Sequence, residues 1–220
     1  MATTAALRRI VRPESVPPQY LAAASAGTVA AAAVAVLLSW PLWLSVLAGI
    51  ALWVPLFTFE IVWTRAHYGW IALFYGLVVL QGGHMVEHVV QMVQIHVLHL
   101  TGPAARGVFG MLDVEWVHFV WNTLVLVAIG LLVWKFPRNP LLWAAAAVSV
   151  WHQVEHAYVL SVYLRTGVPG SPGLLAAGGK LAPPVAIART DLHFFYNLIE
   201  TAPLVGAFAR QLGKVSLGDR

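Results

Sequence analysis

The feature that most constrains this chain is a series of six apolar segments, each near the length that crosses a lipid bilayer. A helix needs about 20 apolar residues to span the hydrocarbon core. The segments run about 20–39, 42–63, 69–99, 114–135, 139–164 and 190–209. The third is roughly 30 residues long, so it is expected to tilt or to protrude into water. The sequence therefore predicts an all-α integral membrane protein of about six transmembrane helices.

The charge content agrees with this fold class. Only 10% of the 220 residues are charged and 60% are hydrophobic, whereas soluble domains carry about 25% charged residues. The net charge of +4 and the pI of 9.7 do not indicate nucleic acid. The basic residues lie in short segments between the apolar runs, where the positive-inside rule places them. We expect membrane lipid, and no nucleic acid, as a partner.

The distribution of lysine and arginine predicts the topology. With the N-terminus inside, nine basic residues lie on the inner side and four on the outer side. This bias favours a multi-pass protein of the plasma membrane with both termini in the cytoplasm. Residues 1–19 are predicted to be a cytoplasmic segment, 20–210 a single transmembrane domain, and 211–220 a cytoplasmic tail. The Gly- and Pro-rich outer loop at about 165–189 is expected to lack regular structure.

Two short motifs occur twice in the same order. His84–His88 and His152–His156 both read H-x-V-E-H, and 118–122 and 193–197 both read H-F-x-aromatic-N. Each copy spans two predicted helices, so the repeat units run about 69–135 and 139–209. The copies have the same predicted topology, and an approximate two-fold axis along the membrane normal can relate them. Helices 3–4 and 5–6 are thus predicted to form a pseudo-two-fold repeated four-helix core.

The motif spacing predicts a metal site. A helix advances about 100° per residue, so the two histidines and the glutamate of H-x-x-E-H share one face. The predicted topology puts the motifs of all four helices at one level, in the outer half of the membrane. The chain has no cysteine, so a metal must be held by His, Asp, Glu, Asn or Tyr. The predicted metal ligands are His84, Glu87, His88, His118, His152, Glu155, His156 and His193.

Several roles remain open at this stage. Glu87 and Glu155 are equally suited to bind the metal or to orient the imidazoles that do. These two, with Tyr196 and Glu200, are the candidate catalytic residues, and Glu200 is also a candidate for a proton path. The asparagines of the second motif are interpreted as helix–helix hydrogen bonders. A histidine hydrogen-bond network without metal is the alternative to the metal site.

The leading functional hypothesis is a metal-dependent membrane oxidoreductase. Two histidine sets meeting at the axis would form a dinuclear centre, with iron or copper favoured and zinc as the alternative. The construction resembles four-helix carboxylate–histidine di-iron sites, although the paired histidines of membrane di-iron hydroxylases and desaturases are absent. The expected partners are a lipid or another apolar small-molecule substrate and a redox partner or additional subunits.

Three other functions fit the pattern less well. A zinc-dependent membrane hydrolase would use Glu87 or Glu155 as general base. H-x-x-E-H also matches the reversed zinc-peptidase motif, but two equal copies fit a single peptidase site poorly. A haem-b electron carrier would leave the adjacent glutamates unexplained. A metal transporter or delivery subunit would need ligands across the membrane rather than at one depth.

Overall fold

Six α-helices make up most of the part of the chain that the structure describes. The structure is a computed structural model that describes residues 16–110, 114–185 and 187–218. Within these ranges there is no strand, and one π-helical turn and one 3-10 turn follow the third helix. The predicted six helices are confirmed, including the division of the first apolar stretch into two. They are α1 Pro18–Leu37, α2 Leu42–Tyr68, α3 Ile71–Met92, α4 Glu115–Lys135, α5 Pro140–Thr166 and α6 Arg189–Gly218.

Proline and glycine mark several helix ends. Pro41 precedes α2 and Pro140 opens α5, since the fixed φ of proline and its missing N–H suit the first turn. Gly167 ends α5 at φ 68°, and its N–H donates to the carbonyl of Tyr163. Glycine adopts this left-handed conformation without steric cost.

Two predicted segments differ from the observed helices at their ends. The third ends as α-helix at Met92 and continues as a π-helical turn over Val93–Val97. The sixth was predicted to end at 209, but α6 continues to Gly218. The extension is polar, so the apolar pattern that located the segment gave no sign of it.

Three helices are long and apolar enough to cross a membrane. They are Pro18–Leu37, Leu42–His67 and Glu115–Lys135. Large apolar side chains of α1 are exposed, such as Val36 at 79% and Leu37 at 82%, as expected of a surface that faces lipid. The remaining three helices carry most of the histidines and glutamates discussed below, which lower their hydropathy.

The chain divides into two compact units. The first comprises Met1–Gly76 and Phe208–Arg220. In it α1 packs on α2, where the indole N–H of Trp53 donates to the hydroxyl of Thr28 at 3.0 Å. The buried rings of Phe74 and Phe208 lie 5.3 Å apart between centroids.

The second unit comprises Leu77–Ala207 and contains every predicted site residue. Its centre is the packing of α4 on α5, with Ile129 and Leu142 completely buried. The amide of Gln153 donates to the hydroxyl of Thr123 across this interface at 2.8 Å. The amide of Asn139, in the turn before α5, donates to the carbonyl of Ala207 on α6 at 2.9 Å. These contacts fix α4, α5 and α6 relative to one another.

Candidate metal centre

Six histidines from four helices converge in the second unit. Ring centroids of contacting histidines lie between 4.5 and 6.4 Å apart. Three of the rings are buried and three are partly buried. Helix α3 supplies two, α4 one, α5 two and α6 one, namely His84, His88, His118, His152, His156 and His193. The structure thus brings together the six histidines that the motifs single out.

The ligand atoms fall into two groups that share one residue. His84, His88, His118 and His193 form the first group, and each offers a nitrogen within 4.8 Å of the others. His152, His156 and His193 form the second by the same criterion. The sequence predicts one set of histidines for each repeat. In the structure His193, which belongs to the second repeat, lies with histidines of both repeats.

The separations between nitrogens suit a shared metal ion. The Nε2 atoms of His84 and His88 are 3.2 Å apart, and those of His152 and His156 are 3.1 Å apart. Metal–nitrogen bonds of 2.0–2.1 Å at the tetrahedral angle put two nitrogens about 3.3 Å apart. The same distances also fit an N–H···N hydrogen bond. The positions of the ring protons therefore decide between a shared metal ion and a hydrogen bond.

An oxygen atom lies beside Nδ1 in three of the rings. The Nδ1 of His88 lies 3.3 Å from the Gln91 side-chain oxygen, and the Nδ1 of His118 lies 3.3 Å from the Val114 carbonyl. The Nδ1 of His152 lies 2.9 Å from a carboxylate oxygen of Glu200. A backbone carbonyl can only accept, so Nδ1 of His118 carries the proton, and the oxygens beside His88 and His152 favour the same tautomer. In the neutral ring the Nε2 then has the lone pair that a metal requires.

The histidines do not satisfy one another. Within the described part of the chain, the buried atoms His193 Nε2 and His156 Nδ1 have no hydrogen-bond partner. A buried polar atom without a partner costs about 1–3 kcal/mol. The other three neutral rings, His84, His156 and His193, have one N–H each, which is enough for the three close N···N contacts but not for all six lone pairs. A cation between the rings satisfies several lone pairs at once.

Glu87 and Glu155 contact loops and lie in neither ligand group. The Phe109 N–H donates to Oε1 of Glu87 at 2.8 Å, and the Leu174 N–H donates to Oε1 of Glu155 at 2.7 Å. In both repeats the glutamate of H-x-V-E-H thus holds the loop that follows its helix. This contact is with a loop N–H rather than with an imidazole, so it gives the glutamates a role different from both ligation and orientation of the imidazoles.

Two glycines that the motifs do not include make these contacts possible. Gly107 and Gly173 both have a φ of +80°. A Cβ atom added at Gly107 would collide with the carboxylate of Glu87, and one at Gly173 would collide with that of Glu155. The sequence signal was a glycine in the loop after each H-x-V-E-H helix, but the chain has 18 glycines and this pair does not stand out.

Glu200 and Tyr196 lie beside the histidines on α6. Glu200 is completely buried and accepts from His152. The Tyr196 ring centroid is 5.4 Å from that of His152, and its hydroxyl accepts from the indole N–H of Trp151 at 3.0 Å. Glu200 is therefore placed to orient an imidazole, and Tyr196 to border the centre.

The two asparagines mainly bond within their own helices. Asn122 donates to the carbonyl of His118 at 2.9 Å, and Asn197 donates to that of His193 at 3.0 Å. Only Asn197 also matches the predicted contact between helices, since its oxygen accepts from Gln81 of α3 at 3.2 Å. Gln81 was not singled out from the sequence, although it lies three residues before His84, on the same face.

The Gly- and Pro-rich loop before α6 is held by a buried carboxylate. Glu115 accepts from the guanidinium of Arg189 at 2.7 Å and from the Gly170 N–H at 2.9 Å. Leu174 and Ala176 are buried, so the loop contributes to the core although it has no regular structure between 167 and 185. The loop therefore covers part of the second unit in a defined conformation.

No protein-family model matches this chain, and no curated protein or solved structure is significantly similar to it. Only the chain's own residues therefore indicate its function.

Proposed function

We propose that this chain is an integral membrane protein that binds transition-metal ions at its six-histidine centre. The observation that supports this most is the convergence of six imidazoles from four helices, with nitrogens 3.1–3.3 Å apart. In three of the rings an oxygen lies beside Nδ1, an arrangement that favours an Nε2 lone pair. Imidazole ligands suit copper, zinc, iron and nickel rather than magnesium or calcium.

We propose that all six helices span the membrane, and not only the three most apolar ones. Helices α1, α2 and α4 are apolar enough to span by themselves. Helices α3, α5 and α6 are long enough to span, and their polar residues belong to the histidine centre. The excess of Lys and Arg favours cytoplasmic termini, which puts the centre in the outer half of the membrane, between pseudo-two-fold repeats.

The absence of native cysteine makes this topology simple to test. Val168, at the end of α5, and Pro137, between α4 and α5, are both exposed. We expect Val168→Cys to react with a membrane-impermeant thiol reagent in intact cells, and Pro137→Cys to react only after permeabilisation. The reverse pattern would invert the topology, and labelling of both in intact cells would contradict a span over α5.

The activity that we propose is metal-dependent oxidation–reduction of an apolar substrate. A centre that takes one or two ions within an apolar helix bundle suits electron transfer to a lipid or another apolar molecule. The ligand groups contain imidazoles without a carboxylate. Di-iron sites in four-helix bundles use several glutamates, so the geometry favours copper over iron.

A zinc hydrolase is the second candidate, because one observation favours it. The group His152, His156 and His193 has the three-histidine composition of some catalytic zinc sites, which keep the fourth position for water. Zinc would polarise that water, and Glu155, next to His156 in sequence, is the nearest candidate base along the chain. This reading predicts a colourless protein with no redox-active metal.

The three closest nitrogen pairs are too near to be the two axial ligands of one haem. Two axial nitrogens on opposite sides of a haem iron lie about 4 Å apart, given bonds of about 2 Å each, and the macrocycle occupies the space between them. The close pairs here are 3.1–3.3 Å apart. We therefore do not propose a haem-b electron carrier.

Metal content is the first test of the proposal. The protein would be purified in mild detergent without chelator, and metal per chain measured with the optical and electron paramagnetic resonance spectra. We expect at least one transition-metal ion per folded chain, and a large loss of it in His88→Ala. His67→Ala is the matched control, because His67 lies on α2 in the first unit and its Nδ1 bonds to the carbonyl of Trp63.

The same samples separate the two activities. A Cu²⁺ resonance that disappears on reduction and returns in air would support the oxidoreductase, whereas zinc alone would support the hydrolase. Folded protein that holds no metal, even after incubation with copper and with zinc, would refute the metal centre.

A further inference from the structure

One residue distinguishes the second repeat from the first at the centre. Glu200 follows His193 by seven residues, and the equivalent position after His118 is Val125. Both residues are buried, with an exposed fraction of 0% for Glu200 and 3% for Val125. Valine has no oxygen that can accept a hydrogen bond from an imidazole. Glu87 and Glu155 do not distinguish the repeats, because each repeat has one of them.

The Glu200 carboxylate acts on one histidine of the second group. It lies 2.9 Å from Nδ1 of His152, and both side chains are fully buried. A carboxylate behind a ligating imidazole fixes the ring, makes the opposite nitrogen more basic, and is worth about 10–100-fold in metal affinity.

His193 prevents the two groups from being filled independently. Its Nδ1 lies 3.3 Å from Nε2 of His152, which directs one nitrogen to the second group. A neutral imidazole has a single lone pair. When that lone pair serves the second group, the first group retains only His84, His88 and His118.

We infer that the centre consists of two inequivalent metal subsites that fill in order. The subsite of His152, His156 and His193, with Glu200 as a positioning residue, takes the first ion and binds it more tightly. The subsite of His84, His88 and His118 takes the second ion and binds it more weakly. This inference rests on the proposed function, because it specifies how the same centre is loaded.

The test is a titration of the metal-depleted, detergent-solubilised full chain with Co²⁺, whose visible absorption reports tetrahedral coordination. We expect two phases in the wild-type protein. Glu200→Gln should weaken the first phase about 10–100-fold and leave the second within about three-fold. The control is Glu60→Gln, which changes another buried glutamate, on α2 in the first unit; it should leave both phases within about three-fold.

Two histidine variants test the order without depending on Glu200. His152→Ala should remove the tight phase, and His84→Ala should remove only the weak phase. A single phase in the wild-type protein, or loss of the tight phase in His84→Ala, would overturn the inference. It would also be overturned if Glu200→Gln, shown by circular dichroism to be folded, bound Co²⁺ as the wild-type protein does.

The outcomes separate this inference from the proposed function. Two equal phases, or a tight phase that belongs to the first repeat, would overturn the order of filling and leave the metal centre standing. Absence of Co²⁺ binding by folded wild-type protein would overturn both.

Discussion

The second unit has two halves, Leu77–Lys135 and Pro140–Ala207. The two halves share several contacts around their histidines. In each, paired histidines face each other through Nε2, at 3.2 Å in the first and 3.1 Å in the second. In each, a glutamate accepts from a loop N–H, and an asparagine donates to the carbonyl of the histidine one turn earlier.

The halves differ in the groups behind the histidines. Glu200 supports His152, whereas its counterpart in the first half is Val125. Asn197 accepts from Gln81, whereas the oxygen of Asn122 has no partner among the residues that the structure describes. Ser149 holds the position equivalent to Gln81, and its buried hydroxyl has no partner there either. Matched helices thus present matched histidines beside unlike neighbouring residues, and this difference is the basis for the unequal affinities that we propose.

The largest effect is expected at His193, the residue that the two ligand groups share. His193→Ala removes a ligand from the subsite that fills first, so more than half of the metal held at one added ion per chain should be lost. His118→Ala removes a ligand from the subsite that fills second and should lose less at that loading. Metal content per folded chain at one added ion per chain measures both, and equal losses would mean that the two subsites do not fill in order.

The two loop glycines should give the next largest effect. Gly173→Ala and Gly107→Ala put a Cβ where φ is +80° and where a glutamate side chain lies. A non-glycine residue in such a conformation costs about 1–3 kcal/mol. We expect both variants to lower the unfolding temperature in detergent. Gly213→Ala, at a helical position near the end of α6, is the control. A lower unfolding temperature in only one of the two loop variants would mean that the two loops are not equivalent.

The glutamates of H-x-V-E-H test whether these residues hold loops or metal. Glu87→Gln and Glu155→Gln keep an oxygen acceptor for the loop N–H but remove its charge. A charged acceptor is worth about 1 kcal/mol more than a neutral one, so thermal stability should fall slightly while metal content stays the same. Loss of metal in both variants would restore the prediction that these carboxylates are ligands.

The smallest effect is expected at the asparagines. Asn197→Ala loses two side-chain hydrogen bonds and leaves Gln81 without that partner, whereas Asn122→Ala loses one. Hydrogen bonds between membrane helices average about 0.6 kcal/mol, so Asn197→Ala should be about twice as destabilising. Unfolding in a graded denaturant series would measure the difference. Equal losses would remove this asymmetry between the halves.

Much of the fold follows from local pattern. Apolar runs of bilayer length located all six helices, and residues such as Pro41 and Pro140 located their starts. The meeting of six histidines follows from helical periodicity together with the alternating direction of successive helices. Both features depend only on the spacing of residues along the chain, which one sequence displays fully.

The roles within the site depend on contacts that spacing does not display. The motif H-x-x-E-H puts Glu155 on the face of His152, but it does not show that Leu174, 19 residues later, donates to that carboxylate. The place of His193 in both groups depends on how α6 lies against α3 and α5. The distribution of nitrogens between the two subsites is therefore a property of tertiary packing.

The central claim is that histidine nitrogens from several helices bind a metal ion. X-ray absorption of the metal-loaded protein tests this most directly, because imidazole rings give a characteristic multiple-scattering pattern. The account predicts three or more imidazoles, with nitrogens at about 2.0–2.1 Å from the metal. A first shell of oxygen without imidazole scattering would contradict it.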